Sequence, residues 1–93
     1  MDIPLEFKRF GSQYFQGFDH FADPRQTDAM IRYGLEGLSR ETQIALKKFL
    51  TELLNCKPSH GTLARMWEAT GTDFYFSRGL DKFLAMTRDA IPD

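Results

Sequence analysis

The chain has 93 residues, which is the length of one ordinary domain and leaves no room for two. Apolar residues make up 42% and charged residues 27% of it, with nine Phe, three Tyr and one Trp, so it carries too much apolar mass for a disordered protein. The formal net charge of −1 excludes a strongly basic nucleic-acid-binding protein. The sequence contains no run of about 18 apolar residues, which is the length that a membrane-spanning helix needs.

Cysteine usage and the N-terminal residues bear on the cellular compartment. Cys56 is the only cysteine, so an internal disulfide is excluded, whereas small secreted domains usually carry several. Residues Met1 to Glu6 have neither the basic segment nor the apolar stretch of a signal peptide. We therefore expect a single domain over residues 1–93, located in the cytoplasm.

The first predicted helix covers residues 4–16. Apolar side chains recur there and beyond at steps of three or four residues, at Ile3, Phe7, Phe10, Tyr14, Phe18 and Phe21. Gly17 suits the C-terminal cap of this helix, although Gly11 weakens the helix internally.

The second predicted helix has the clearest start signal. Asp23 is placed as the N-cap, Pro24 at the first helical position, and Gln26 where its side chain can reach back to the cap. The helix continues through Met30 and Tyr33 and ends near residues 34–37.

The third predicted helix covers residues 40–55, with Ser39 as its N-cap and an acidic residue in its first turn. Its apolar stripe comprises Ala45, Leu46, Phe49, Leu50, Leu53 and Leu54. Lys47, Lys48 and Glu52 are expected to face solvent. Residues 55–58 end the helix.

Two further helices complete the predicted fold. Ser59 caps a short helix that ends at Gly71 and carries Leu63, Met66, Trp67 and Thr70, with Trp67 assigned to the core. Residues 72–76 are predicted to form a loop. The last helix places Leu80, Phe83, Leu84, Thr87 and Ile91 on one face and ends at Pro92. The pattern predicts an all-α, single-domain bundle of about five short helices.

Motifs of enzyme chemistry are missing from the sequence. It has no phosphate-binding loop, dinucleotide fingerprint or serine nucleophile elbow. A zinc site would need Cys56, His60 and distant carboxylates. His20 lies between Asp19 and Asp23 and could act as a general base, but a helix cap and a polar loop explain these residues better. We expect no enzymatic activity, no catalytic residue, and no cofactor or metal.

The aromatic residues and the charges point to protein binding. Stacking on nucleic-acid bases would need a basic groove, and only Lys8 and Arg9 adjoin the first aromatic residues, so the rings are predicted to pack in the core. Residues 1–38 carry six acidic and four basic side chains, whereas residues 39–93 carry seven acidic and eight basic ones. The segment from Asp19 to Asp28 is therefore the best candidate for an acidic edge.

The order of aromatic and apolar residues resembles a known family. The stretch from Phe10 to Asp19 reads FGSQYFQGFD, with a Tyr-Phe pair and then an aromatic residue followed by Asp. Leu63, Trp67, Gly71 and the aromatic residues 74–76 follow, and Phe83-Leu84 completes the pattern. This order, over roughly residues 5–91, resembles the immunity proteins of bacterial contact-dependent growth inhibition systems. Many of those proteins have a Trp where this chain has Phe18 or Phe21.

The resemblance implies a cytoplasmic, non-enzymatic protein that binds the C-terminal toxin domain of a cell-surface effector one to one and neutralises it. Many such toxins are nucleases with basic clefts, which an acidic edge would complement. The resemblance implies neither a nucleic-acid nor a membrane partner, and we expect a monomer before binding. The predicted toxin-binding residues are Asp19, His20, Asp23, Asp28 and Glu36, with Tyr33 and Tyr75 as aromatic anchors.

The alternative is a small helical adaptor or regulatory protein-binding module without a toxin partner. A helix-turn-helix regulator would need several Arg or Lys on an exposed recognition helix, and the third helix offers only Lys47 and Lys48.

Overall fold

The computed structural model describes residues 3–13, 24–72, 76 and 79–92, with the backbone alone for 24–27. The described residues form five α-helices and no strand: α1 (Leu5–Gly11), α2 (Pro24–Glu36), α3 (Arg40–Asn55), α4 (His60–Glu68) and α5 (Leu80–Ala90). Helix α5 packs against α2, α3 and α4, and α1 packs against α2 and α3. The predicted all-α fold of about five helices is confirmed.

Local capping interactions fix where α3 and α4 begin. The Ser39 side chain accepts a hydrogen bond from the backbone N–H of Thr42, and Ser59 accepts one from Thr62, each at 3.2 Å. Both N-caps are therefore as predicted. Helix α2 spans the predicted residues, but Asp23 and the side chain of Gln26 lie outside the described part of the chain.

Helix α1 is shorter than the 4–16 predicted. It ends at Gly11, and Ser12 and Gln13 form a turn in which Gln13 donates its N–H to the carbonyl of Phe10 at 3.2 Å. The prediction was wrong at this end because apolar spacing continues past the point where Gly11 stops the helix. Tyr14, Gly17, Phe18 and Phe21 lie outside the described residues.

The core is built around Trp67, which is 1% exposed, as predicted. Phe7, Phe10, Phe76 and Phe83 surround its indole, with ring centroids between 5.8 and 6.0 Å away in edge-to-face arrangements. Leucine, isoleucine and methionine side chains enclose this aromatic cluster: Met30, Ile31, Leu35, Leu38, Leu46, Leu50, Leu63, Met66, Leu80, Leu84 and Ile91. Phe7, Phe10, Trp67 and Phe83 pack inward as predicted, and Phe76, which belongs to the predicted loop, joins them. These five described rings do not form a stacking platform.

Lys47 differs from the prediction that it faces solvent. Its side chain is half-buried, and its Nζ donates a hydrogen bond to the carbonyl oxygen of Ile91 at 2.7 Å. The aliphatic stem lies along the protein surface while the ammonium group reaches the end of α5, where a cation is favourable. Lys48 and Glu52 are exposed, as predicted.

Two further features concern the connections and the helices as a whole. Thr72 and Phe76 are not helical, in agreement with the predicted loop, whereas residues 73–75 lie outside the described part. None of the described helices is long and apolar enough to cross a membrane.

Candidate functional site

The exposed face of α2 carries three of the predicted toxin-binding residues. Asp28, Tyr33 and Glu36 all point to solvent, and the Tyr33 side chain keeps 40% of its area exposed. The opposite face buries Met30, Ile31 and Leu35 in the core. The helix is therefore amphipathic, and its polar side is available for contact with a partner.

A basic residue interrupts the acidic edge. Asp28, Arg32 and Glu36 follow one another at intervals of four residues, so the three side chains form one row along α2. Arg32 is exposed like its neighbours. The row thus carries two negative charges and one positive charge, and its acidic character is weaker than the carboxylates alone suggest.

A groove runs between α2 and α5 beside this row. It encloses about 450 Å³ and is lined by Asp28, Ile31, Arg32, Leu35, Met86, Asp89 and Ala90. Ile31 and Leu35 are almost fully buried and form an apolar floor. The carboxylates of Asp28 and Asp89 also line the groove, which suits a ligand with both apolar and basic groups.

Sequence reasoning missed the contribution of α5 to this groove. Met86 keeps 38% of its area exposed, and a flexible thioether is suited to adaptable protein-binding surfaces. Asp89 accepts a hydrogen bond from Arg88 Nε at 3.0 Å. One feature of the sequence could have indicated this contribution. Met86 is apolar but falls outside the apolar stripe of the last helix, which comprises Leu80, Phe83, Leu84, Thr87 and Ile91.

The remaining predicted residues are not placed. Asp19, His20, Asp23 and Tyr75 lie outside the described residues, so their relation to the α2 face stays a prediction. The three described candidates, Asp28, Tyr33 and Glu36, all belong to α2, and helical periodicity puts them on one side of that helix.

The described residues present no cluster of metal ligands. Cys56 is the exposed C-cap of α3, and His60 is the exposed first residue of α4. Among the residues that the structure describes, no group of three His, Cys, Asp or Glu side chains could hold a metal ion. What these residues offer is a binding surface on α2 and α5.

Comparison of the chain with family models, with curated proteins and with solved structures gave no match.

Proposed function

We propose that this protein is a cytoplasmic immunity protein that binds the C-terminal toxin domain of a contact-dependent growth inhibition effector. It acts by binding and has no enzymatic activity of its own. The observation that carries the proposal is the order of residues from FGSQYFQGFD to Phe83-Leu84. The described apolar members of that pattern, Phe10, Leu63, Trp67, Phe76, Phe83 and Leu84, pack in one core, which supports reading them as a unit.

The exposed α2 face is the proposed contact surface. Tyr33 supplies a large aromatic side chain of the kind that dominates interface energetics, and Asp28 and Glu36 add negative charge to the exposed part of the same helix. A nuclease toxin presents a basic cleft to its nucleic-acid substrate. Carboxylates opposite that cleft would accelerate association and exclude partners of the wrong charge.

The size of the chain is compatible with such a complex. A stable interface takes about 800 Å² from each partner. The chain exposes 5833 Å² in all, so α2 with the neighbouring groove and part of the adjoining surface can supply that area.

Co-expression with the protein encoded immediately upstream tests the function directly. We expect growth rescue from that protein's C-terminal domain and recovery of a one-to-one complex. Failure of both, with this protein folded and expressed, would contradict the immunity proposal. A complex with a non-toxic partner would instead support the adaptor alternative.

Charge reversal tests the proposed surface. Asp28→Lys combined with Glu36→Lys should weaken binding of the toxin domain and reduce its dependence on salt, and Asp19→Lys with Asp28→Lys should do the same. Glu52→Lys combined with Glu68→Lys makes the same change in net charge at exposed positions on α3 and α4 and serves as the control. Equal affinity for the α2 variant and the control in a pull-down would remove α2 from the interface.

A further inference from the structure

A second groove lies on the other flank of α5, between that helix, the end of α3 and the start of α4. It encloses about 350 Å³ and is lined by Leu54, Lys57, Pro58, Leu63, Asp81, Lys82, Ala85 and Arg88. Leu54 and Pro58 are half-buried, and Leu63 is buried beneath them. We name this the basic groove, because cations dominate its charged lining.

The charge of the basic groove is opposite to that of the chain. Lys57, Lys82 and Arg88 line it together with one carboxylate, Asp81. Because Arg88 is also ion-paired with Asp89, three cations stand against two carboxylates, which leaves one net positive charge on a protein whose formal charge is −1. Arg88 uses only its Nε to bind Asp89, so its other guanidinium N–H groups remain able to donate to a ligand. The α2–α5 groove is instead lined by two carboxylates, Asp28 and Asp89, and one Arg.

Lys57 occupies a backbone conformation that glycine usually provides. Lys57 has φ of 50°, and among the described residues it is the one non-glycine with positive φ. It follows the C-cap of α3 and donates its N–H to Leu54 O at 3.1 Å, the position where Gly is usual. Among the described residues, glycine occupies the other two positions with positive φ, Gly71 and Gly79.

A lysine in this conformation is strained, and the following Pro58 restricts its backbone further. Strained residues are concentrated at functional sites, so an observed outlier is a reason to look for a function of its side chain. At position 57 the side chain places a cation at the edge of an apolar groove. The helix dipole of α3 also favours a cation there, and the experiment below separates the two roles.

We propose that the basic groove binds an acidic segment of a protein partner. Carboxylates of the segment pair with Lys57, Lys82 and Arg88, and an apolar side chain between them packs on Leu54 and Pro58. The apolar lining favours a peptide over nucleic acid, because a phosphate backbone gains nothing from contact with Leu54. This proposal does not rest on the immunity function.

The probe is a short fluorescent peptide in which Glu and Leu alternate, and binding is followed by anisotropy with the full chain. Nitrogen–proton NMR spectra recorded during the titration locate the site. We expect shifts at Lys57, Lys82, Ala85 and Arg88, with weaker binding as salt is raised. A peptide of Glu alone should bind less tightly, because it lacks the apolar group.

Two variants and a control decide the outcome. Lys82→Glu should weaken binding about tenfold, as loss of an attraction and gain of a repulsion together imply. Lys57→Asn removes a charge and tolerates positive φ, so it should weaken binding while the protein stays folded. Lys48→Glu, at an exposed position of α3 outside the basic groove, should leave binding unchanged.

Four results would overturn the proposal. The first is that the Glu-Leu peptide does not bind. The second is that Lys48→Glu weakens peptide binding as much as Lys82→Glu does. The third is that a single-stranded oligonucleotide binds in the same groove more tightly than the peptide. The fourth is a Lys57→Asn protein that is less stable but binds the peptide as before, which would assign Lys57 to the α3 dipole alone.

Discussion

Gly11 at the end of α1 lies directly against the side chain of Thr70, which follows α4. A Cβ added at Gly11 would overlap the Thr70 hydroxyl and Cβ and would lie 2.7 Å from its Cγ2. Thr70 is itself held in place, because its hydroxyl donates to the carbonyl of Trp67 at 2.6 Å. The absence of a side chain at Gly11 is therefore what allows α1 to approach the segment that carries the central Trp.

Replacement of Gly11 tests this close approach. Gly11→Ala should lower the free energy of unfolding by about 1–3 kcal/mol, the usual cost of forcing extra volume into a packed contact. Gly61→Ala is the matched control, since a Cβ there meets only Ser59 Oγ at 3.9 Å. That variant should be neutral or gain up to about 1 kcal/mol from helix propensity. Urea unfolding measures both, and equal stabilities would refute the close contact.

The bond from Lys47 to the end of α5 predicts a difference between adjacent lysines. Lys47→Met keeps the aliphatic stem but removes the donor to Ile91 O, and should cost about 0.5–1.5 kcal/mol. Lys48→Met, at the exposed neighbouring position, should change stability by less than about 0.5 kcal/mol. Thermal unfolding of the two variants compares them, and a larger loss in Lys48→Met would exclude the proposed bond.

The central position of Trp67 predicts a large effect of truncation. Trp67→Ala should cost about 3–5 kcal/mol, which is much of the roughly 5–15 kcal/mol that holds a small domain folded. Ile44→Ala, at a position that is 49% exposed, is the control and should cost far less. Circular dichroism against denaturant checks both. As Trp67 is the only Trp, its fluorescence in the intact protein should also shift to longer wavelength on unfolding.

The serine caps of α3 and α4 predict equal and modest contributions. Ser39→Ala and Ser59→Ala should each lower the free energy of unfolding by about 1 kcal/mol, because one backbone N–H of the first turn loses its acceptor. Aspartate at either position restores an acceptor, so Ser39→Asp and Ser59→Asp should unfold near the wild-type urea concentration. If the Asp variants were as unstable as the Ala variants, capping would not be the cause.

Helix positions were predictable where the determinants are local. Ser39 and Ser59 act on backbone groups three residues away, and the bounds of α3 follow from its cap and its apolar stripe. Helix α1 was predicted too long because the spacing of Phe7, Phe10 and Tyr14 does not indicate where the helix ends and the chain turns. The exposure of Asp28, Tyr33 and Glu36 could likewise be predicted from helical periodicity.

Tertiary structure alone decided which helices meet, and hence which residues share a groove. Met86 and Asp89 join Asp28 only because α5 packs beside α2, and Lys57 joins Lys82 only because α3 ends beside α5. The sequence by itself determined an all-α chain with an aromatic core and balanced charge. It could not assign those charges to two grooves, because helical periodicity describes one helix at a time and packing depends on contacts between residues far apart in the chain.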